Sequence, residues 1–202
     1  MKSIIGKKEL VKEDKNNFEK RLFIAIDIPE FIKDNIYNFT AALLKEEKQI
    51  KVVSAPNIHI TLKFLGNINI GKINKIEKAI KETADTFRRF KYEINGKINA
   101  FPGPNNARVV FLEIGNGGRQ ISEIYNELEN NLSMVKIRKE KRKFFPHITI
   151  ARIKNKKNIE QLVNNHEMDS VDWLDCLEIT LFESRLKPKG AEYAILNKFS
   201  LK

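Results

Sequence analysis

Two short stretches of the sequence share one pattern: Ile58-His59-Ile60-Thr61-Leu62 and Pro146-His147-Ile148-Thr149-Ile150. Polar and apolar residues alternate from each histidine onward, which is the period of a β-strand with one face in the core. The histidine and the threonine two positions later therefore share one side of the strand. Only three histidines and six threonines occur in 202 residues, so the repeated pairing argues against coincidence. The wide separation of the two stretches fits two half-domains rather than a solenoid.

Two imidazoles and two hydroxyls are functional groups that together can bind a phosphate and act on it. Hydroxyls can donate to phosphate oxygens, while one imidazole acts as a base and the other as an acid. The residues alone leave two alternatives: each histidine can be a strand residue satisfied by a neighbour, or the pair can bind zinc. A third zinc ligand in matching context is missing, and His166 has the setting of a surface residue at a helix end. We favour a phosphate site without a metal.

The remaining chain mixes strand and helix patterns without strict alternation, which predicts an α+β fold with mostly antiparallel sheets flanked by helices. We expect residues 1–20 to be a charged N-terminal extension and residues 21–202 to form one domain of two lobes. Predicted strands cover 22–26, 58–65, 92–100, 109–112, 147–151, 176–186 and 192–199; predicted helices cover 30–48, 73–90, 121–132 and 158–165.

The charge balance favours a polyanionic partner. Lys and Arg number 37 against 26 for Asp and Glu, which gives a net charge of +11. Nucleic acid is the commonest such partner, although genome bias or growth at high temperature also enriches lysine. Basic residues concentrate at 136–143, a run that can follow an RNA backbone or can be a solvated loop.

Other sequence features concern location and cofactors. No stretch approaches the roughly 20 apolar residues of a membrane helix, and the N-terminus lacks the apolar run of a signal peptide. Cys176 is the only cysteine, which excludes an internal disulfide and a cysteine-based metal cluster. We expect a cytoplasmic protein that makes no membrane contact and needs no cofactor.

At the two motifs and around them, the chain resembles the two-histidine (2H) phosphoesterase superfamily. Within it, the chain is similar to the RNA 2′,3′-cyclic phosphodiesterases, historically called 2′-5′ RNA ligases. The resemblance runs from about residue 21 to residue 201. The segments that carry it are RLFIAID at 21–27, HITLKFLG at 59–66, RVVFL at 108–112, FPHITIAR at 145–152 and LFESRL at 181–186.

The resemblance implies a two-lobed, pseudo-symmetric fold around a central cleft. It implies metal-independent hydrolysis of a terminal RNA 2′,3′-cyclic phosphate to a 2′-phosphomonoester, and a weaker, reversible 2′-5′ joining of tRNA halves. In the family scheme, His59 is the proton donor and His147 the proton acceptor. Phosphate oxygens are held by Thr61, Thr149 and Arg152. The expected partner is RNA with such an end, with tRNA halves among the candidates, and we expect a monomer.

Several assignments depend on how the strands run. Strict alternation places Arg152 opposite His147, so a phosphate role requires the strand to end or bulge first; otherwise Arg152 is a surface charge. Alternation also places Phe64 on the apolar core face. Phe101 and Phe145 lie near the motifs as well, and Phe145 is the better candidate for stacking on a base.

Two further functions stay open from the sequence. The first is a non-catalytic module that binds RNA or a nucleotide 2′,3′-phosphate, and the second is a ligase in the cell. Both histidines and both threonines are present, so nothing obvious disables catalysis. We identify neither a Gly-rich phosphate loop nor a nucleotidyl-lysine motif. Any ligation would therefore run as the reverse transesterification, without ATP.

Overall fold

The computed structural model describes residues 18–188 and 190–202. Of the predicted extension, residues 1–17 lie outside the described residues, whereas residues 19 and 20 already belong to the first strand. In chain order the strands and helices are β1 Glu19–Ile26, α1 Glu30–Leu43, β2 Ile50–Val52, β3 Ile60–Asn69, α2 Ile73–Ala84, β4 Phe90–Phe101, β5 Ala107–Ile114, α3 Gly118–Met134, β6 His147–Lys157, α4 Glu160–Asn165, β7 Val171–Cys176, β8 Glu178–Lys187 and β9 Gly190–Ser200.

Over the described residues the strands form one nine-stranded antiparallel sheet. The strand order is β7-β4-β5-β6-β3-β1-β8-β9, with β2 beside β6. The motif strands β3 and β6 meet at the centre. Each is flanked on its outer side by three more strands, which gives two halves of matching order. The predicted α+β class with two pseudo-symmetric antiparallel halves is confirmed.

Several predicted boundaries are wrong. The sequence pattern misses β2 and β7, because β2 has three residues and β7 contains charged residues that obscure its alternation. It also ends β3 at Gly66, but the strand continues to Asn69. Gly66 takes a left-handed φ of 72° within an irregularity of the pairing with β1, after which pairing resumes. The helices predicted over 30–48 and 73–90 end earlier, because hydrogen-bonded turns follow both of them.

The two motif strands carry the same irregularity at the same place. Each has one extra residue between two successive pairs with its outer neighbour, namely Leu62 in β3 and Ile150 in β6. The bracketing pairs are Ile24–Lys63 and Ala25–Thr61 in one half, and Val110–Ala151 and Phe111–Thr149 in the other. A β-bulge of this kind shifts the alternation by one residue. Side chains beyond each threonine therefore exchange faces.

The core runs across both halves of the sheet. Helices α1, α2 and α3 bury apolar residues at helical spacing, and these residues join the same cluster as the apolar faces of the strands. At the centre, Ile60 pairs with Ile148, and both side chains are fully buried. In the part of the chain that the structure describes, no helix is long and apolar enough to cross a membrane.

The substitution Ile148→Ala should lower the free energy of unfolding by about 2–5 kcal/mol, because it opens a cavity where the two halves meet. Urea unfolding followed by circular dichroism measures the change. Ile195→Ala on β9 is the matched control, since Ile195 is 47% exposed, and its effect should stay within about 0.5 kcal/mol. Equal losses in the two variants would contradict the central role of Ile148.

Candidate active site between the motif strands

The fold brings the two motifs together at the centre of the sheet. His59 and His147 immediately precede the paired residues Ile60 and Ile148. The cleft beside them contains two adjoining cavities of about 380 and 810 Å³, a size typical of small-molecule sites. His59 lines the smaller one, called the His59 cavity, and His147 lines the larger one, called the His147 cavity. The residues that line both are Thr61, Phe64, Thr149 and Arg152.

The two imidazoles are held in the same way. His59 Nδ1 lies 2.9 Å from the carbonyl oxygen of Asn57, and His147 Nδ1 lies 2.7 Å from that of Phe145. A carbonyl oxygen can only accept, so Nδ1 is the donor in both rings. In a neutral ring Nε2 is then unprotonated and available for acid–base chemistry. The Nε2 atom of His59 lies 2.8 Å from the hydroxyl oxygen of Thr61, which donates to it in this state.

Aromatic rings pack against both imidazoles, which stay partly exposed toward the cleft. The ring of His147 packs edge-on against Phe101 and Phe111, with both centroid distances at 5.1 Å. The ring of His59 lies 4.9 Å from Phe23 and 5.5 Å from Tyr193. Each imidazole therefore has a largely apolar surround and few rotational alternatives.

This environment changes the acid–base properties of both rings. Burial lowers the pKa of His59 to about 4, and it also lowers the pKa of His147. Loss of hydration is the largest cause in each case, and the positive charge of Arg152 acts in the same direction. The backbone carbonyl acceptors oppose these shifts. Both imidazoles are consequently neutral at pH 7 in the unliganded protein, and an anion bound between them would favour their charged forms.

The bulge at Ile150 decides the position of Arg152. Without it, Arg152 would lie opposite His147; with it, the guanidinium lines both cavities beside Thr149. This is the location that a role in phosphate binding requires, and the surface-charge alternative assumed a strand without the bulge. The threonines line the same two cavities, since each lies two residues after its histidine and before the bulge.

The matching bulge at Leu62 overturns the prediction for Phe64. Alternation assigned Phe64 to the core, but its side chain is 63% exposed and lines both cavities. Alternation also placed Lys63 on the face of His59 and Thr61, whereas Lys63 is buried. Phe64 thus has the position in β3 that Arg152 has in β6, five residues after the histidine.

Phe145 and Phe101 both line the His147 cavity. Phe145 is 43% exposed, and its backbone carbonyl is the group that orients His147. Its exposed ring therefore borders the His147 cavity, and stacking on a base stays a prediction. Phe101 stacks on Phe111 at 4.3 Å, so it is the more firmly packed of the two candidates.

The sequence analysis missed several cleft residues. Tyr193 at the edge of His59 comes from β9, and Asn57 attaches that strand by donating to the carbonyl oxygen of Ala191 at 2.8 Å. Tyr193 and Ala191 lie far along the chain from both motifs, which leaves no local signal for these contacts, although Asn57 itself lies two residues before His59. Further cations line the cavities. One of them, Arg108, lies in the segment RVVFL that carries the family resemblance, so the sequence did draw attention to its position. The others are Lys51, Arg142, Lys143 and Lys187.

The third histidine lies elsewhere. His166 follows α4, where its Nδ1 lies 3.1 Å from the carbonyl oxygen of Leu162, and it does not line either cavity of the cleft. Within residues 18–188 and 190–202, no group of three or more His, Cys, Asp or Glu side chains is arranged to hold a metal ion.

Comparison with known proteins places this cleft in a family. The family described as LigT-like phosphoesterase matches residues 26–111 and 113–193. The RNA 2′,3′-cyclic phosphodiesterase of Methanocaldococcus jannaschii is 34% identical over 182 residues, which cover 89% of this chain and 99% of that protein. Its counterpart from Methanothermobacter thermautotrophicus is 29% identical over 187 residues, covering 90% of this chain and 98% of that protein.

Solved structures show the same fold. The crystal structure of the Thermus thermophilus protein TT0787 has a TM-score of 0.72 at 25% identity and covers 90% of this chain and 97% of that one. The structure of Escherichia coli LigT in apo form has a TM-score of 0.71 at 23% identity, covering 92% and 99%. The motifs, the fold and the match over most of its length together establish that the chain belongs to the LigT-like phosphoesterase family of 2H phosphoesterases.

Proposed function

We propose that the protein hydrolyses 2′,3′-cyclic phosphate ends of RNA to 2′-phosphomonoesters. The observation that carries this proposal is the pair of imidazoles with Nδ1 held by a carbonyl, which leaves Nε2 of each ring for a shared cleft. The relatives that match over most of the chain are named for this activity. The surplus of positive charge, +11 in total, suits a nucleic-acid substrate.

In the proposed reaction, Nε2 of His147 takes a proton from water as the water oxygen attacks phosphorus. The bond from phosphorus to the 3′-oxygen breaks, and Nε2–H of His59 gives its proton to that oxygen. The product keeps the phosphate on the 2′-oxygen. The hydroxyls of Thr61 and Thr149 and the guanidinium of Arg152 bind the other phosphate oxygens, where negative charge accumulates in the transition state.

For His59 to act as an acid, substrate binding has to favour the protonated form of its imidazole. A pKa of about 4 leaves this imidazole neutral at pH 7, so it has no proton to donate from Nε2 in the free protein. The negative charge of a bound cyclic phosphate opposes the effect of burial and favours the imidazolium. The hydroxyl of Thr61 can then turn from Nε2 toward a phosphate oxygen, because a hydroxyl both donates and accepts.

The chemistry proposed for these residues requires no metal ion. A metal in such reactions polarises the phosphate and activates water. Here Arg152 and the two threonines would meet the first need, and His147 as a base would meet the second. Phe145 would stack on the terminal base, since its exposed ring lies in the His147 cavity.

The same site would also support the reverse reaction, in which a 5′-hydroxyl replaces water and a 2′-5′ bond forms, as between tRNA halves. A single chain supplies both motifs, so a monomer would suffice. A binding module without turnover is the second candidate. The complete set of acid, base and phosphate ligands favours catalysis over binding alone, because binding does not need a free Nε2 on both rings.

Purified protein should convert an RNA with a 2′,3′-cyclic phosphate end to the 2′-phosphate in the presence of EDTA, because acid, base and anion stabilisation all come from side chains. Phosphorus NMR identifies the product isomer. Loss of activity on chelation with recovery on adding zinc or manganese would refute metal independence. Tight binding of the RNA without any product would favour the binding module.

Replacing either catalytic histidine by alanine should lower kcat by about 10²–10⁴, the usual contribution of one general acid or base. A nucleoside 2′-(4-nitrophenyl phosphate) separates the two roles, because nitrophenolate leaves without a proton. Steady-state rates should show this substrate rescuing His59→Ala but not His147→Ala. Rescue of His147→Ala alone would reverse the assignment. His166→Ala is the matched control and should keep full activity.

The pH profile should lie on the acid side of an ordinary histidine enzyme. The free protein reacts from a state with one charged and one neutral imidazole, and both pKa values are lowered. As pH rises above them, the charged form is lost, so kcat/KM should peak below about pH 6.5, the reference pKa of histidine. The kcat peak should lie at higher pH, because bound phosphate raises these pKa values. NMR titration showing His59 above its ordinary pKa in the free protein would contradict this.

A further inference from the structure

Lys63 breaks the symmetry between the two motif strands. The matched bulges give Lys63 in β3 the position of Ala151 in β6, and both residues are buried; Lys63 also borders the His147 cavity, as does its partner Glu129. A small apolar residue fits this position, whereas a lysine has to bring a charge with it. Lys63 is only 7% exposed, so its ammonium needs partners inside the protein.

The partners of Lys63 connect three parts of the chain. Its Nζ donates to a carboxylate oxygen of Glu129 on α3 and to the carbonyl oxygen of Arg138, the latter at 3.0 Å. The other carboxylate oxygen of Glu129 accepts from the backbone N–H of Glu140 at 3.0 Å. Glu129 is 6% exposed. The buried pair thus bonds the backbone at two points of the segment 136–146, called here the basic loop.

The basic loop is ordered at further points along its length. The carboxylate of Glu140 accepts from the backbone N–H groups of Arg142 and Lys141, which lowers its pKa. The ring of Phe144 stacks on Tyr125 of α3 at 4.1 Å. These contacts hold the backbone of the basic loop in place, while the side chains at 138–143 are exposed to solvent.

The position of the basic loop matters for the cleft. Its residues Arg142, Lys143 and Phe145 line the His147 cavity, together with Arg108 from β5. The carbonyl of Phe145 also holds Nδ1 of His147. The loop therefore supplies cations to one wall of the cleft and ends at the group that orients one imidazole.

We infer that Lys63 and Glu129 are positioning residues that hold the basic loop as a preformed wall for the RNA backbone upstream of the cyclic phosphate. This inference rests on the proposed RNA substrate. A buried ion pair is on average no more stabilising than apolar residues of similar volume. Its bonds to the loop backbone are what an apolar pair could not provide. Cations held in place in advance bind phosphates with less loss of entropy on association.

The double substitution Lys63→Met with Glu129→Gln tests this role. It removes both charges together, so no unpaired charge stays buried, and the amide oxygen introduced at Glu129 can still accept from Glu140 N–H. The pair Lys63→Leu with Glu129→Leu removes every bond from these two side chains to the loop and provides a second, fully apolar variant that should fold. Ile179→Ala is the control for a loss of stability, since this buried residue lies on β8, which pairs with β1 and β9.

Hydrogen exchange gives a readout that does not depend on activity. The backbone N–H of Glu140 should exchange at least about tenfold faster in the fully apolar variant, which has lost the acceptor of that group. The Lys63→Met, Glu129→Gln variant should lie between it and the wild type. The Ile179→Ala control should keep the wild-type rate at this position. Unchanged exchange at Glu140 in both double variants would overturn the inference that Lys63 and Glu129 hold the basic loop.

Kinetics give the functional readout. In the double variants the KM for a short RNA with a cyclic phosphate end should rise at least about tenfold more than the KM for a cyclic mononucleotide. This factor corresponds to the free energy of about one hydrogen bond to a charged group. A parallel rise for both substrates, as a purely structural role predicts, would overturn the inference. If the wild type hydrolyses neither substrate, the proposed function fails, while the exchange experiment still decides whether the pair holds the loop.

Discussion

The site depends on one backbone constraint, the β-bulge that follows the threonine in each motif strand. A regular strand would turn the fifth residue after each histidine away from the cleft. The extra residues Leu62 and Ile150 bring Phe64 and Arg152 back to the side of the imidazoles. Both bulges bury two successive side chains; Leu62, Ile150 and Ala151 are held by the hydrophobic core, and Lys63 is held by its bonds to Glu129 and Arg138.

The second feature is the balance between burial and hydrogen bonding at the histidines. Burial among aromatic rings makes the neutral imidazole the stable form, and the carbonyls of Asn57 and Phe145 determine which nitrogen carries its hydrogen. The unprotonated Nε2 is suited to a base at once, but to an acid only after a proton arrives. In the proposed mechanism the charge of the substrate provides for that step, so catalysis and recognition of the phosphate are linked.

The two halves of the sheet share a framework but differ in the chemistry they present. In β6 the fifth position carries the cation Arg152, and in β3 it carries the exposed ring of Phe64. One residue earlier, β6 has Ala151 and β3 has Lys63, whose bonds extend to α3 and the basic loop. In the proposed function, such differences would suit an RNA end, which has a phosphate and a base on different sides.

The sequence by itself determined the fold class, the two His-x-Thr pairs and the family, because these rest on local alternation and on residue identities. It could not place Phe64, Lys63 or Arg152 with certainty, since one inserted residue reverses the face of every side chain beyond it. Nor could it indicate Tyr193, which reaches His59 through pairing between distant segments, or the bond that Asn57, two residues before His59, makes to Ala191 of β9. Only the tertiary structure decided these positions, because bulges and cavities arise from strand pairing and core packing, which depend on residues far apart in the chain.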